Sequence, residues 1–152
     1  FVSYLIFFQY LLYNIRFEYG IKIILILLFA CIFSDIGGYF VGKSLGGPKL
    51  TRISPNKTIT GAIGSIFFTI VGGLLMIIFL NLSDVITITT YIWLILMSLL
   101  CQLGDLLISF MKRKAKIKDT GRILPGHGGM LDRVDGIIIA IPFGILTLFL
   151  IF

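Results

Sequence analysis

Four runs of mostly apolar residues, at about 21–41, 59–82, 90–111 and 136–152, leave this chain few ways to fold. A helix needs about 20 such residues, within a range of about 17–25, to cross the hydrocarbon core of a bilayer. A fifth run, 1–15, is apolar but short, and reads as either a clipped span or an interfacial helix. Turn formers separate the runs: Gly46-Gly47-Pro48 and Ser54-Pro55-Asn56 in one loop, Pro125-Gly126 and Gly128-Gly129 in another. Of all residues 58% are hydrophobic and 13% charged, against about 25% charged in an average soluble domain. A soluble domain of this length buries only about 70% of the surface its unfolded chain exposes, too little to hide so much apolar area. A soluble enzyme, a disordered chain, a disulfide scaffold and a free nucleic-acid binder are therefore set aside. Cys31 and Cys101 lie inside apolar runs and read as small hydrophobes. The chain opens on Phe1, without a basic n-region or a small-residue cleavage site, as a chain entered part-way through a longer protein would. The expected fold is all-α: one polytopic transmembrane helix bundle over 1–152, with four to five spans and two basic cytoplasmic loops.

Orientation follows from the basic residues. Lys43, Lys49, Arg52 and Lys57 follow the first full run; Lys112, Arg113, Lys114, Lys116, Lys118, Arg122 and Arg133 follow the third. The short connection at 81–89 carries Asp84 and no positive charge. Two spans separate the basic loops, so both fall on one face, which the positive-inside rule makes cytoplasmic. The expected location is the inner (plasma) membrane, multi-pass, with the active site facing the cytoplasm.

Four of the seven acidic residues stand where acids are costly. Asp35 and Asp105 lie within, or near the inner ends of, apolar helices, and Asp132 and Asp135 lie at the entry to the last. An ionisable group at a helix centre costs about 2.5–3.5 kcal/mol on insertion scales, which makes function the default reading. Asp105, Ser109 and Lys112 share a helix face, as do Asp132 and Asp135. Gly37, Gly38 and Gly42 strip bulk from the neighbourhood of Asp35 and allow close helix packing or close approach of a ligand. Carboxylates beside Lys and Arg at a water-accessible depth suit a Mg²⁺ site bridged by phosphates. The competing reading is structural: an intramembrane Asp pairs with Lys or Arg as a packing device, and a basic juxtamembrane loop anchors anionic headgroups.

The stretch at 109–135 reads SFMKRKAKIKDTGRILPGHGGMLDRVD, or S-x2-K-R-x4-K-D-x5-P-G-H-G-G-x2-D-R-x-D. It resembles the signature of the phosphatidate cytidylyltransferases, also called CDP-diglyceride synthases, with every fixed position present. Two earlier stretches, SDIGGYFVGKSLGG at 34–47 and ISPNKTITGAIGS at 53–65, resemble upstream motifs of the same family. The resemblance covers the chain from about residue 30 onward. Family members are usually longer, with more spans ahead of this region, so the chain is expected to lack the N-terminal ones. Thr60 stands where the family often carries Glu or Gln.

The resemblance implies a Mg²⁺-dependent nucleotidyltransferase of phospholipid biosynthesis, converting CTP and phosphatidate to CDP-diacylglycerol and pyrophosphate. The acceptor phosphate is already an anion at neutral pH, so the site must chiefly neutralise charge and align the groups in line. Asp35, Asp105, Asp132 and Asp135 are the implied metal ligands. Asp105, Lys118, Asp119, Asp132, Arg133 and Asp135 are the implied catalytic set. Substrate binding falls to Lys57, Ser109, Lys112, Arg113 and the turn of Gly126, His127, Gly128 and Gly129. Glycines let backbone N–H groups approach phosphates closely, though the spacing is not that of a P-loop. The implied partners are CTP, phosphatidate and the lipid bilayer, with room for a homodimer and no role for nucleic acid. Other readings stand beside this one, a CTP-dependent lipid-alcohol kinase with related substrates among them. A truncated non-catalytic remnant or partner subunit would keep the motif without the activity. An ion-coupled transporter would bury carboxylates but needs no dense basic loop with a PGHGG turn. A CDP-alcohol phosphotransferase would require D-x3-D, where Asp132 and Asp135 give D-x2-D.

Overall fold

A computed structural model describes residues 2–51, 54, 57–117 and 131–151, with side chains of the last segment described from 136 to 149. Among the described residues there are five helices: α1 (Val2–Tyr19), α2 (Ile21–Leu45), α3 (Ile59–Phe79), α4 (Ile88–Lys114) and α5 (Leu131–Ile151), with a 3₁₀ turn at Ser83–Val85. The expected all-α bundle of membrane-type helices is what the chain forms. By length and composition α2, α3 and α4 are each able to cross a bilayer. The apolar part of α5, Gly136–Phe149, is shorter, and α1 carries Gln9, Asn14, Arg16 and Glu18 among its apolar residues.

Helix ends depart from the apolar limits because caps, not hydropathy, decide where a helix stops. The first full span continues past 41 to Leu45 and ends where Gly46 turns to φ +62°, its N–H returning to the Gly42 carbonyl at 3.1 Å. α3 opens on Thr58, whose Oγ1 accepts the Gly61 N–H at 3.1 Å, a cap worth about 0.5–2 kcal/mol. Thr87 and Thr90 form a capping box at the start of α4. The last turn of α4 carries Lys112, Arg113 and Lys114, the charges its dipole favours there.

The α2–α3 pair has the most extensive contact in the bundle. Its contact is made of backbone and of side chains seated on glycines. A Cβ on Gly37 would stand 2.5 Å from Phe68 Cβ and 2.6 Å from the Gly64 carbonyl, and one on Gly64 would stand 2.5 Å from Val41 Cβ. Ser34, Ser65 and Thr69 fill the rest of that side of the core with small polar groups. Large side chains fill the other side: Leu27, Leu94, Met97, Ile141 and Ile145 are fully enclosed. Phe67, Leu75, Ile78 and Phe79 of α3 point outward and are exposed, the pattern of helices solvated by lipid rather than water.

Two further contacts close the bundle. Trp93 Nε1 donates to the Gly144 carbonyl at 3.1 Å, joining α4 to α5. Pro142 lies inside α5 and has no N–H to offer the Ile138 carbonyl four residues back. The Tyr4 hydroxyl of α1 takes that place, donating to Ile138 O at 2.6 Å.

Candidate active site

Between α2 and α3, residues 48–50 pair with residues 57–59. Leu50 N–H donates to the Lys57 carbonyl at 2.8 Å and Ile59 N–H to the Pro48 carbonyl at 3.0 Å, and Lys49 bridges Thr58. Thr60, at the position where the resemblance expects a longer side chain, spends its hydroxyl on the Gly46 carbonyl and so ties the start of α3 to the end of α2. These bonds fix the backbone at Lys57. The lysine side chain turns inward to α4, where Nζ meets Asp105 Oδ2 at 2.5 Å, with the two side chains 27% and 29% exposed.

That ion pair forms one wall of a cavity of about 300 Å³. Asp35, Gly38 and Tyr39 of α2 stand on it, with Thr58, Gly61 and Ser65 at the start of α3 and Gln102 and Asp105 on α4. Of the sequence candidates, Asp35, Lys57 and Asp105 are thus brought together from two helices and a loop. Both readings of an intramembrane acid are met in Asp105, which is paired with a lysine and also faces a cavity.

The described lining does not include Ser109, Lys112 or Arg113, which lie farther along α4. Asp132, Arg133 and Asp135 fall in the opening turns of α5, and their side chains lie outside the described ones. So do Lys118, Asp119, Gly126, His127, Gly128 and Gly129 altogether. The α5 backbone does reach the site's edge: a Cβ on Gly104, next to Asp105, would lie 2.9 Å from the Gly136 carbonyl.

The donors suit a hard cation. Asp35 and Asp105 offer carboxylate oxygens, while Ser34, Thr58, Ser65 and Gln102 add neutral ones. Among the described residues no three of His, Cys, Asp and Glu cluster as a ready-made cage. Two carboxylates without a cage fit the habit of Mg²⁺, which keeps several waters and completes its shell with substrate phosphates.

Reading the sequence for charge passed over Gln102, Ser98 and Ser34. Their signal was present. A glutamine one turn from an intramembrane aspartate is itself a polar group that lipid does not solvate.

A profile of the cytidylyltransferase family matches residues 1–151. The phosphatidate cytidylyltransferase of Brucella suis biovar 1 (strain 1330) is 47% identical over 118 residues, covering 76% of this chain and 43% of that protein. The Bacillus subtilis (strain 168) protein of that name is 42% identical over 134 residues, 83% of this chain and 47% of its own length. In Staphylococcus aureus (strain COL) the identity is 44% over 131 residues, 86% and 50%. The chain spans about half the length of the curated relatives it matches.

Proposed function

The chain belongs to the cytidylyltransferase family, and from that premise we propose that it serves the transfer of a cytidylyl group from CTP to phosphatidate. A phosphate oxygen of phosphatidate attacks the α-phosphorus of CTP, the new P–O bond gives CDP-diacylglycerol, and the α–β bridge breaks to release pyrophosphate. The observation that carries this reading is the cavity in which Lys57 and Asp105 meet opposite Asp35. It places a cation and two carboxylates where the ends of three apolar helices converge, the mixture an anionic substrate pair and its counter-ion require.

The nucleophile is already ionised, so the protein's own work is binding, alignment and charge neutralisation. Lys57 offers a phosphate the ammonium it otherwise gives to Asp105. Ser109, Lys112, Arg113, Lys118 and Arg133 supply further donors, and Asp119 is proposed to act with them. Gly126, His127, Gly128 and Gly129 give backbone and imidazole N–H groups to the nucleotide. Asp35, Asp105, Asp132 and Asp135 would hold Mg²⁺, which when bound spreads the charge that develops on the triphosphate. The helices lie in the inner membrane with this end toward the cytoplasm. Cysteines placed at Lys49 and Lys116 are then labelled from one side and a cysteine at Asp84 from the other; opposite labelling of Lys49 and Lys116 would dismiss this topology.

The direct test follows label from CTP into lipid with the intact protein in mixed micelles. Transfer is expected only when phosphatidate and Mg²⁺ are both present, and Asp105→Asn is expected to remove nearly all of it while the protein stays inserted. Transfer without any divalent ion would remove the metal from the mechanism. A folded, intact protein that moves no label to phosphatidate would end the functional reading.

A further inference from the structure

Beside the two carboxylates, three polar side chains are joined across the bundle. Gln102 Nε2 on α4 donates to the Ala62 carbonyl of α3 at 3.2 Å and to Ser98 Oγ at 3.3 Å. Ser98 Oγ in turn lies 3.3 Å from Ser34 Oγ on α2. The two serines are 0% and 1% exposed. A backbone carbonyl can only accept, so the nitrogen of the Gln102 amide faces α3 and its two protons are both committed within the protein.

Ser34, Ala62 and Gln102 themselves line the cavity, and each stands near one of its charged residues. Ser34 precedes Asp35 in sequence, Gln102 stands one helical turn before Asp105, and Ala62 lies in the first turn of α3 after Thr58 and Lys57. Glycine contacts, with Phe68 and Val41 seated on Gly37 and Gly64, set α2 against α3, but they do not by themselves place that pair along α4. A bond to one particular carbonyl does. A slip of α3 by one turn, about 5.4 Å, would carry Ala62 away from Gln102 and Lys57 away from Asp105 together.

We propose that Gln102 is a positioning residue, which through Ala62 and Ser98 sets the axial register of α3 and α2 against α4 and so brings Lys57, Asp105 and Asp35 to one cavity. Its effect on turnover rests on the function proposed above; its effect on geometry does not.

The experiment therefore reads both. Lysines are modified with an amine-reactive reagent in the intact, micelle-embedded protein, and the rate at Lys57 is compared by mass spectrometry with the rates at exposed Lys49 and Lys116. Gln102→Met keeps the shape and removes the amide. It is expected to raise the Lys57 rate severalfold while Lys49 and Lys116 stay constant, and to lower kcat about tenfold or more with KM for CTP changed about twofold or less. Ser98→Ala cuts only the branch to α2, so the Lys57 rate is expected to stay as in the unsubstituted protein while kcat falls by a smaller factor. Should Gln102→Met fail to insert, Gln102→Asn, which withdraws the amide by one methylene, carries the same expectation. An unchanged Lys57 rate, or an unchanged kcat per folded molecule with only the melting midpoint lowered, would make Gln102 simple adhesive and overturn the proposal. Absence of turnover in the unsubstituted protein would instead count against the functional reading, and the labelling comparison would still decide this one.

Discussion

The α2–α3 and α4–α5 pairs solve the same packing problem with opposite materials. In α2–α3 the helices meet through Gly37, Gly38, Gly61 and Gly64, where an added Cβ would strike backbone or the side chains of Phe68, Ser65 and Val41. In α4–α5 the contact is filled by Trp93, Met97, Ile141 and Ile145, with Gly144 leaving a notch for Met97. Lipid tails are as apolar as leucine, so helix association in a membrane draws on van der Waals contact and hydrogen bonds rather than on expulsion of water. Both materials supply that contact. The α4–α5 backbones approach at Gly104 and Gly136, the α2–α3 backbones from Gly37 and Gly64 to Gly42 and Gly61, and the latter pair carries the loop residue, Lys57, that reaches an acid on a third helix. The α2–α3 pair builds the cavity, whereas the α4–α5 pair holds the bundle that carries it.

The comparison breaks first at Gly64. Gly64→Leu forces a branched side chain into Val41, and the expected outcome is loss of both assembly and turnover, read by protease resistance in micelles and by transfer of label. Gly64→Leu combined with Val41→Ala recovers part of the protease resistance if the clash is the cause. A second, smaller effect lies across the bundle. Met97→Ala opens a hole in a well-filled contact and is expected to cost about 2–5 kcal/mol, seen as a lower melting midpoint, with kcat per folded molecule kept. If Met97→Ala lowered kcat as far as Asp105→Asn does, the division between a cavity-building pair and a holding pair would fail.

The smallest expected effect sharpens the role of α5. Tyr4→Phe removes the donor that serves the Ile138 carbonyl and is expected to cost about 0.5–1.5 kcal/mol. Pro142→Ala restores a backbone N–H to the same carbonyl. In the Tyr4→Phe background it should therefore recover most of the lost stability, and a thermal double-mutant cycle measures that coupling. Two purely additive effects would mean that the phenol and the proline are unrelated.

Much of this architecture was legible in the sequence because lipid demands a long apolar signal. The α2, α3 and α4 spans and the placement of Asp35 and Asp105 at one end followed from hydropathy and from the cost of an intramembrane charge. Helix limits were less legible, since Lys43, Ser44, Lys112, Arg113 and Lys114 are helical by hydrogen bonding rather than by apolarity. The Lys57–Asp105 pair was legible only in type. Its members are 48 residues apart, and their meeting depends on the pairing of residues 48–50 with residues 57–59, which no local pattern records. Gln102 and the serines were hidden for a different reason: a short hydroxyl or an amide inside an apolar run carries no formal charge to draw the eye.

The bond from Tyr4 to the Ile138 carbonyl spans 134 positions of the chain, and that separation acquires a meaning in time. At a synthesis rate of about 5–20 residues per second, the phenol of α1 waits on the order of ten seconds before its acceptor has been made. α2, α3 and α4 all emerge in the interval and have neighbours at hand. The bond is consequently a late fastening of α1, which already packs against α2, and the proline that looks like a fault in α5 supplies the place where it is made.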